Sequence, residues 1–308
     1  MARVWVPYED FAVDAEAIGI AADVFTGMGD VPEPVSEVEF LVVPYMKPPE
    51  VLSVATRMPI LQVIQTLTAG YDNILPYLPR GVTLCNARGV HDASTAELAL
   101  TLILSSLRGI PDFVVAQQAR EWGYAEYPAL ADKTVLIVGY GSIGSAIEKR
   151  LLPFECDVVR VARRPRPADG VRGIDELSGL LPRADVVVVV TPLTAETQHL
   201  VDSDFLGRMK RGALLVNVAR GGVVDTDALV EALNDRHVRA AVDVTDPEPL
   251  PPEHPLWHAP GVLISPHVGG FTSAFLPRAK RLVHEQLVRF LDGRHLENVV
   301  VDGATPTP

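Results

Sequence analysis

The run TVLIVGYGSIGSAIEKRL, residues 134–151, constrains the fold more than any other stretch of the chain. An apolar strand leads into Gly139, Gly141 and Gly144 in G-x-G-x-x-G spacing, and an amphipathic helix opens inside the same spacing. The glycine spacing is weak by itself; the strand before it and the helix within it make it informative. Gly139 permits the tight turn, Gly141 lets backbone approach a pyrophosphate, and Gly144 lets the helix pack closely on the strand. The helix start, from Gly141 through Ser142 and Ile143 to Gly144, offers free N–H groups and a positive dipole end. A chain carrying this unit is expected to build a parallel α/β sheet and to bind a dinucleotide.

Similar alternation runs through the rest of the sequence. Segments 3–7, 39–44, 61–66 and 82–86 form one set of strand-like apolar runs. Segments 134–140, 157–162, 185–191, 213–219, 239–244 and 262–267 form a second. Helical periodicity separates most of them, as in SIGSAIEKRLL and DALVEALNDRH. The pattern predicts α/β architecture with two doubly wound parallel-sheet lobes. The dinucleotide-binding lobe is expected over 94–274, and the other lobe over 1–93, completed by 275–308 after a last helix near 274–291. Only the tail from Asp302 looks frayed.

Between the two sets lies HDASTAELALTLILSSLRG, residues 91–109. Ser94 and Glu97 have capping-box spacing, so a helix starts there. Leu98, Ala99, Leu100, Leu102, Ile103, Leu104 and Leu107 make it apolar on nearly every side, which demands burial all round. The helix can sit deep in one subunit or be shared with a second, and a subunit interface is the expected source of that burial.

The chain has 308 residues and a formal net charge of −12. That balance argues against general binding to nucleic acid or an anionic membrane, which needs clustered Lys and Arg. Cys85 and Cys156 have no metal-ligand spacing and imply no disulfide framework, and no metal site is expected. The N-terminus lacks a signal-peptide layout, and no apolar run is long enough for a membrane span. The expected location is the cytoplasm.

A dinucleotide fold places an acid at the end of the strand after the glycine loop, to accept the ribose hydroxyls. Here that strand, DVVRVA, ends at Ala162 with no acid; Arg163, Arg164 and Arg166 follow. A carboxylate would repel a 2′-phosphate, whereas an arginine binds it through charge-assisted hydrogen bonds. NADP(H) is therefore expected to be preferred, with NAD(H) as the other option.

Ligands in open α/β sheets sit beyond the carboxyl ends of the strands. There the second set places Thr191 and Pro192, Arg220, Asp243 with Glu248 beyond it, and His267. An arginine can fork onto a substrate carboxylate and polarise the adjoining carbonyl. A histidine can donate a proton to the carbonyl oxygen, and a carboxylate beside it favours the imidazolium and orients the ring. Together these three suit hydride transfer to a 2-keto acid.

At this point the chain resembles the D-isomer-specific 2-hydroxyacid dehydrogenases along nearly its whole length. The matching blocks are TAGYDN (68–73), STAELAL (94–100), VGYGSIG (138–144), NVARGGVVD (217–225), DVTDPEPLP (243–251) and SPHVGG (265–270). RLLPF, ARRPRP and DVTDPEPLPPEHPL are most similar to the glyoxylate/hydroxypyruvate reductases. The resemblance implies a Rossmann cofactor lobe beside a flavodoxin-like substrate lobe, with the site in the cleft and a small 2-keto or 2-hydroxy acid as substrate. It implies Arg220, Glu248 and His267 as the catalytic three, and Ala69 and Gly70 as substrate-carboxylate binders through backbone N–H groups. It implies Asp243 near the nicotinamide, with Val218, Thr191, Pro192 and Gly269 among the cofactor contacts. It further implies a homodimer built on the cofactor lobes, with Trp122 in a segment that reaches the neighbouring subunit's site in related reductases.

The first lobe departs from the family pattern, because residues 24–40 leave little room for the usual helices. Glu248 argues against a formate dehydrogenase, and the absence of lysine from LTAGYD against a phosphite dehydrogenase. Two alternatives stay open: an NAD-linked phosphoglycerate-type dehydrogenase, and a dinucleotide-sensing, corepressor-like interaction protein.

Overall fold

Val186–Val189 is a run of four valines, all buried. β-Branched residues fit the pleat, and a strand apolar on both faces needs cover on both. In the computed structural model, which describes residues 2–303, this run is the central strand of a seven-stranded sheet.

The elements in chain order begin with β1 (Arg3–Val6), α1 (Glu9–Ala17), β2 (Ala21–Val24), β3 (Phe40–Val42), β4 (Val63–Gln65) and β5 (Thr83–Cys85). Then come α2 (Asp92–Leu107), α3 (Ile110–Ala119), β6 (Thr134–Val138), α4 (Ser142–Leu151), β7 (Asp157–Ala162), β8 (Val171–Gly173), α5 (Leu177–Leu180), β9 (Val186–Val189) and α6 (Ser203–Arg208). The last are β10 (Leu214–Asn217), α7 (Thr226–Asn234), β11 (Arg239–Val242), β12 (Val262–Ile264), α8 (Phe275–Leu291) and β13 (Val299–Val301). They form two units: one runs to His91 and resumes at Ser273, the other is Asp92–Thr272. Both breaks fall slightly before the positions expected from sequence.

In the first unit the strand order is β13-β5-β4-β3-β1-β2. Strands β1 to β5 are parallel in the 2-1-3-4-5 flavodoxin-like order, and β13 adds an antiparallel edge. Alternation divides the core: Val4 and Val6 pack towards α1 and α8, while Trp5 packs on the opposite face with Leu41, Ile64 and Leu84. That second face is covered by 3-10 segments at Val35–Glu37 and Pro49–Arg57 rather than α-helices. Pro34 and Pro48 immediately precede them, and Pro49 opens the second, where its missing N–H is not needed. At the tail, the Gly303 N–H donates to Thr83 Oγ1 at 3.2 Å; the rest of the frayed tail expected from Asp302 lies outside the described residues.

The second unit is all parallel, in the order β12-β11-β10-β9-β6-β7-β8. This is the Rossmann order with one strand added, and the order in which strands are laid down reverses between β6 and β9. Val135, Ile137, Val186, Val188, Leu214 and Val216 face α2 and α4, and the alternate residues face α5, α6 and α7. Each of these fully buried aliphatic side chains contributes about 1.5–3 kcal/mol relative to exposure.

Helix α2 finds its burial within one chain. It packs against α4, β10 and β11, and Ala96, Ala99, Leu102, Ile103 and Leu107 are buried there. Its composition therefore needs no second subunit. Apolar side chains without cover lie just beyond it, on α3 and the extended segment that follows. Helix α3 buries none of its residues, and Trp122 and Tyr124 are 97% and 95% exposed. No single helix among the described residues is long and apolar enough to cross a membrane. Burial pushes the Cys85 thiol up to about 12 and raises that of Cys156 as well, so neither is a thiolate at neutral pH.

Candidate active site

The glycine loop joins β6 to α4 at the point where strand order reverses. Gly139 has φ +106°, and a Cβ there would lie 2.6 Å from the Thr191 backbone nitrogen. The end of β9 thus presses on the loop, and only glycine fits. A Cβ on Gly144 would lie 3.0 Å from the Gly139 carbonyl oxygen and 3.3 Å from Ile137 Cγ2, which is the close approach of helix to strand. Gly141 differs: its φ of −105° suits any residue, and a Cβ there would meet nothing within 4 Å. Nothing in the surrounding backbone requires a glycine at that position, whereas a pyrophosphate lying across the loop does. The N–H groups of Ser142, Ile143 and Gly144 have no acceptor among the described residues and form the open first turn of α4. The Ser142 hydroxyl donates to Asp92 Oδ1, at the start of α2, at 3.2 Å. The loop therefore fits a dinucleotide.

Strand β7 ends at Ala162, and Arg163, Arg164 and Arg166 are all exposed beyond it. Arg163 Nη1 lies 3.5 Å from Glu196 Oε2, and both groups are largely solvated, so the pair is weak. Arg164 makes no ion pair among the described residues. Arg166 is engaged elsewhere: its Nη2 donates to the Tyr140 carbonyl oxygen at 2.9 Å.

Along the same carboxyl edge, β10 delivers Arg220. The buried Asn217 pins the turn before it from both ends: its Oδ1 accepts the Ala219 N–H at 3.0 Å and its Nδ2 donates to the Arg220 carbonyl at 3.0 Å. Arg220 Nη1 donates to the Ala219 carbonyl oxygen at 2.8 Å. A Cβ on Gly221 would lie 1.8 Å from the Thr245 carbonyl oxygen. The Arg220 turn and the loop carrying Glu248 therefore interlock backbone to backbone.

His267 follows β12. Its Nδ1 lies 2.5 Å from Glu248 Oε1, so the carboxylate orients the ring and leaves Nε2 as the outward nitrogen. The residue adopts φ +52°, a left-handed conformation that the surrounding bonds hold. Those bonds come from Asp243, only 3% exposed. Its Oδ1 accepts Ser265 Oγ at 2.6 Å and the Val268 N–H at 2.9 Å, and its Oδ2 accepts the Gly269 N–H at 2.8 Å. Its carbonyl accepts the His267 N–H at 2.7 Å. Asp243, expected from the resemblance beside the nicotinamide, is thus the anchor of the histidine loop. Gly269 permits this, because a Cβ there would lie 3.0 Å from Asp243 Oδ2.

Of the other expected contacts, Thr191 is half-buried beside the glycine loop, Pro192 is exposed, and Val218 is buried against the α2 side of the sheet. Ala69 and Gly70 belong to the first unit, just past β4. The carbonyls around them are tied down: Thr66 Oγ1 donates to the Thr68 carbonyl at 2.9 Å, Asn86 Nδ2 to Ala69 at 2.7 Å, and Thr68 Oγ1 to Gly70 at 2.7 Å. The N–H groups of Ala69 and Gly70 have no acceptor among the described residues. Gly221 and Ser265 carry no local sequence signal, because their partners, Thr245 and Asp243, lie in other loops, whereas Asn217 holds its own turn. Among the described residues no group of three His, Cys, Asp or Glu side chains could hold a metal ion.

A phosphate-binding loop at the switch point, with Arg220 and an oriented His267–Glu248 pair along the same sheet edge, defines a nicotinamide-dependent oxidoreductase. The family model described as D-isomer specific 2-hydroxyacid dehydrogenase, NAD binding domain, matches residues 100–269. The chain belongs to the D-isomer-specific 2-hydroxyacid dehydrogenase family. It is 36% identical over 248 residues to a glyoxylate reductase of Thermofilum pendens, covering 76% of this chain and 73% of that one. It resembles the structure of a D-isomer specific 2-hydroxyacid dehydrogenase from Xanthobacter autotrophicus in complex with NADPH and MES, with TM-score 0.82, 30% identity and 98% of each chain covered. An NADPH-dependent glyoxylate/hydroxypyruvate reductase of Sinorhizobium meliloti, in complex with NADP and sulfate, is similar with TM-score 0.83, 27% identity and 99% of each chain covered.

Proposed function

We propose that the protein reduces a small 2-keto acid of the glyoxylate or hydroxypyruvate type to a D-2-hydroxy acid, with NADPH preferred over NADH. The observation that carries the reaction is the His267–Glu248 pair at 2.5 Å, on the same sheet edge as Arg220. The bound coenzyme supplies the hydride to the carbonyl carbon. His267 holds the proton for the carbonyl oxygen on Nε2, and Glu248 stabilises the imidazolium and fixes its orientation. Arg220 takes the substrate carboxylate and polarises the neighbouring carbonyl. The Ala69 and Gly70 N–H groups are donors of the kind a carboxylate accepts. The named activities of the relatives support this substrate class, and an NAD-linked phosphoglycerate-type reaction would lack the ribose-binding acid that β7 does not provide.

The coenzyme preference rests on Ala162, where the acid is missing, and on the two exposed arginines beyond it. Replacing Arg163 and Arg164 together by alanine is expected to raise the KM for NADPH about a hundredfold, because two charge-assisted bonds are lost. The KM for NADH should change little. Steady-state kinetics with both coenzymes decide this; equal weakening would mean that these residues do not read the 2′-phosphate.

The active form is a homodimer joined through α3 and the segment after it. The exposed Val114, Val115, Trp122 and Tyr124, all on α3 and the segment after it, support this, since large apolar side chains left in solvent mark an association site. Light scattering on the purified protein should give twice the chain mass, and Val115→Glu should shift it towards the monomer.

A further inference from the structure

Tyr140, the first variable position of the glycine loop, is held from four directions. Its N–H donates to the Val161 carbonyl of β7 at 2.8 Å. Its hydroxyl donates to Glu148 Oε2. Its carbonyl accepts Arg166 Nη2 at 2.9 Å. The guanidinium carbons of Arg160 and Arg166 stand 5.6 Å and 6.0 Å from its ring centroid.

Glu148, on α4, is the centre of this cluster and is 5% exposed. A buried carboxylate needs pairing, and Arg160 supplies it: Nε donates to Oε1 at 2.7 Å, and Nη2 is paired to the same oxygen. Arg160 Nη1 then donates to the Asp169 carbonyl at 2.8 Å, in the turn after the arginines. Arg166 exchanges backbone bonds with Val171 of β8, at 2.9 Å and 3.0 Å. Burial and the bond to Glu148 raise the Tyr140 hydroxyl, which therefore stays a donor.

This wiring divides the arginines by role. Arg160 is committed to Glu148, and Arg166 to the Tyr140 carbonyl. Arg163 and Arg164 are left facing solvent with at most a weak surface pair. We infer that Arg166, with Arg160 and Glu148, is a positioning residue that braces the pyrophosphate loop against the 163–171 turn, and that only Arg163 and Arg164 read the 2′-phosphate. The second half rests on the NADPH reading above; the first half does not, because the pyrophosphate is common to both coenzymes.

The test compares NADPH and NADH on wild type, Arg166→Ala, Arg166→Lys, Glu148→Gln and the Arg163→Ala/Arg164→Ala double variant. The readouts are dissociation constants from coenzyme fluorescence, and KM and kcat with glyoxylate. Arg166→Ala should weaken both coenzymes by the same factor, about tenfold for loss of one charge-assisted bond, with kcat at saturation retained. Arg166→Lys should recover most of this, since an ammonium can still donate to the Tyr140 carbonyl. Glu148→Gln should likewise weaken both coenzymes in parallel. Arg166 is exposed, so its variants should keep the wild-type unfolding temperature, which separates a local effect from loss of fold. If Arg166→Ala weakens NADPH alone, Arg166 is a phosphate ligand and the inference is overturned. It is overturned also if neither coenzyme is affected. If wild type prefers NADH, or the double variant leaves the coenzyme ratio unchanged, the NADPH reading fails, and parallel weakening in Arg166→Ala still decides the bracing role.

Discussion

Replacing His267 by alanine is expected to lower kcat for 2-keto acid reduction by about a hundred- to ten-thousandfold, the usual contribution of a positioned general acid. Coenzyme affinity should survive. The loop that carries His267 is held by the Asp243 carboxylate through Ser265, Val268 and Gly269, none of which needs the imidazole. The loss should therefore appear in kcat and in kcat/KM alike, as for a group used only in the transition state. Glu248→Gln should lose less, because the amide oxygen can still accept the Nδ1 proton and only the charge is gone. An unchanged kcat in His267→Ala would remove this residue from the role.

Gly221→Ala is expected to be nearly as damaging, although the residue carries no reactive group. The added Cβ would lie 1.8 Å from the Thr245 carbonyl oxygen and 2.1 Å from the Thr245 carbonyl carbon. Backbone cannot yield as a flexible side chain does, so one of the two loops must move. One loop carries Arg220 and the other Glu248. A displacement of about an ångström in catalytic groups costs on the order of a hundredfold in rate, and overpacking of this kind costs about 1–3 kcal/mol in stability. Calorimetry should show a lowered Tm, and kinetics a fall in kcat/KM larger than that Tm change would produce by partial unfolding. Gly222→Ala, where the nearest atom to a new Cβ is a flexible Leu193 methyl at 3.4 Å, is the control and should be mild in both.

Much of this fold is legible in the sequence because its strands are apolar on both faces. The valines of β9 and the apolar run of β6 read as strands without ambiguity, and the glycine loop places the switch point. The short β2, β8 and β13 do not declare themselves. In β2 the run is AADV, with Asp23 paired to Arg3 at 2.6 Å. In β8 a glycine and an exposed arginine dilute the pattern. β13 looks like the beginning of a tail, and becomes a strand by pairing antiparallel with β5.

The site divides in the same way. Arg220, Glu248 and His267 can be singled out as candidates because each lies beyond a strand at one edge of the sheet. Roles that depend on contacts between distant residues are not. The spacing of Asp243 does not reveal that its carboxylate serves the histidine loop. The ARRPRP run does not distinguish Arg166, bound to a carbonyl, from the two arginines left in solvent. The apolar α2 invites an intersubunit reading, whereas α4, β10 and β11 already cover it and α3 carries the uncovered surface.

Reduction of a 2-keto acid with NADPH preferred is tested by the initial rate of coenzyme oxidation by the purified protein, NADPH against NADH, with glyoxylate, hydroxypyruvate, pyruvate and a bulkier 2-keto acid. The expected result is turnover of glyoxylate or hydroxypyruvate with a higher kcat/KM for NADPH than for NADH. Turnover with NADH alone, or tight NADPH binding without turnover of any of these acids, would contradict it.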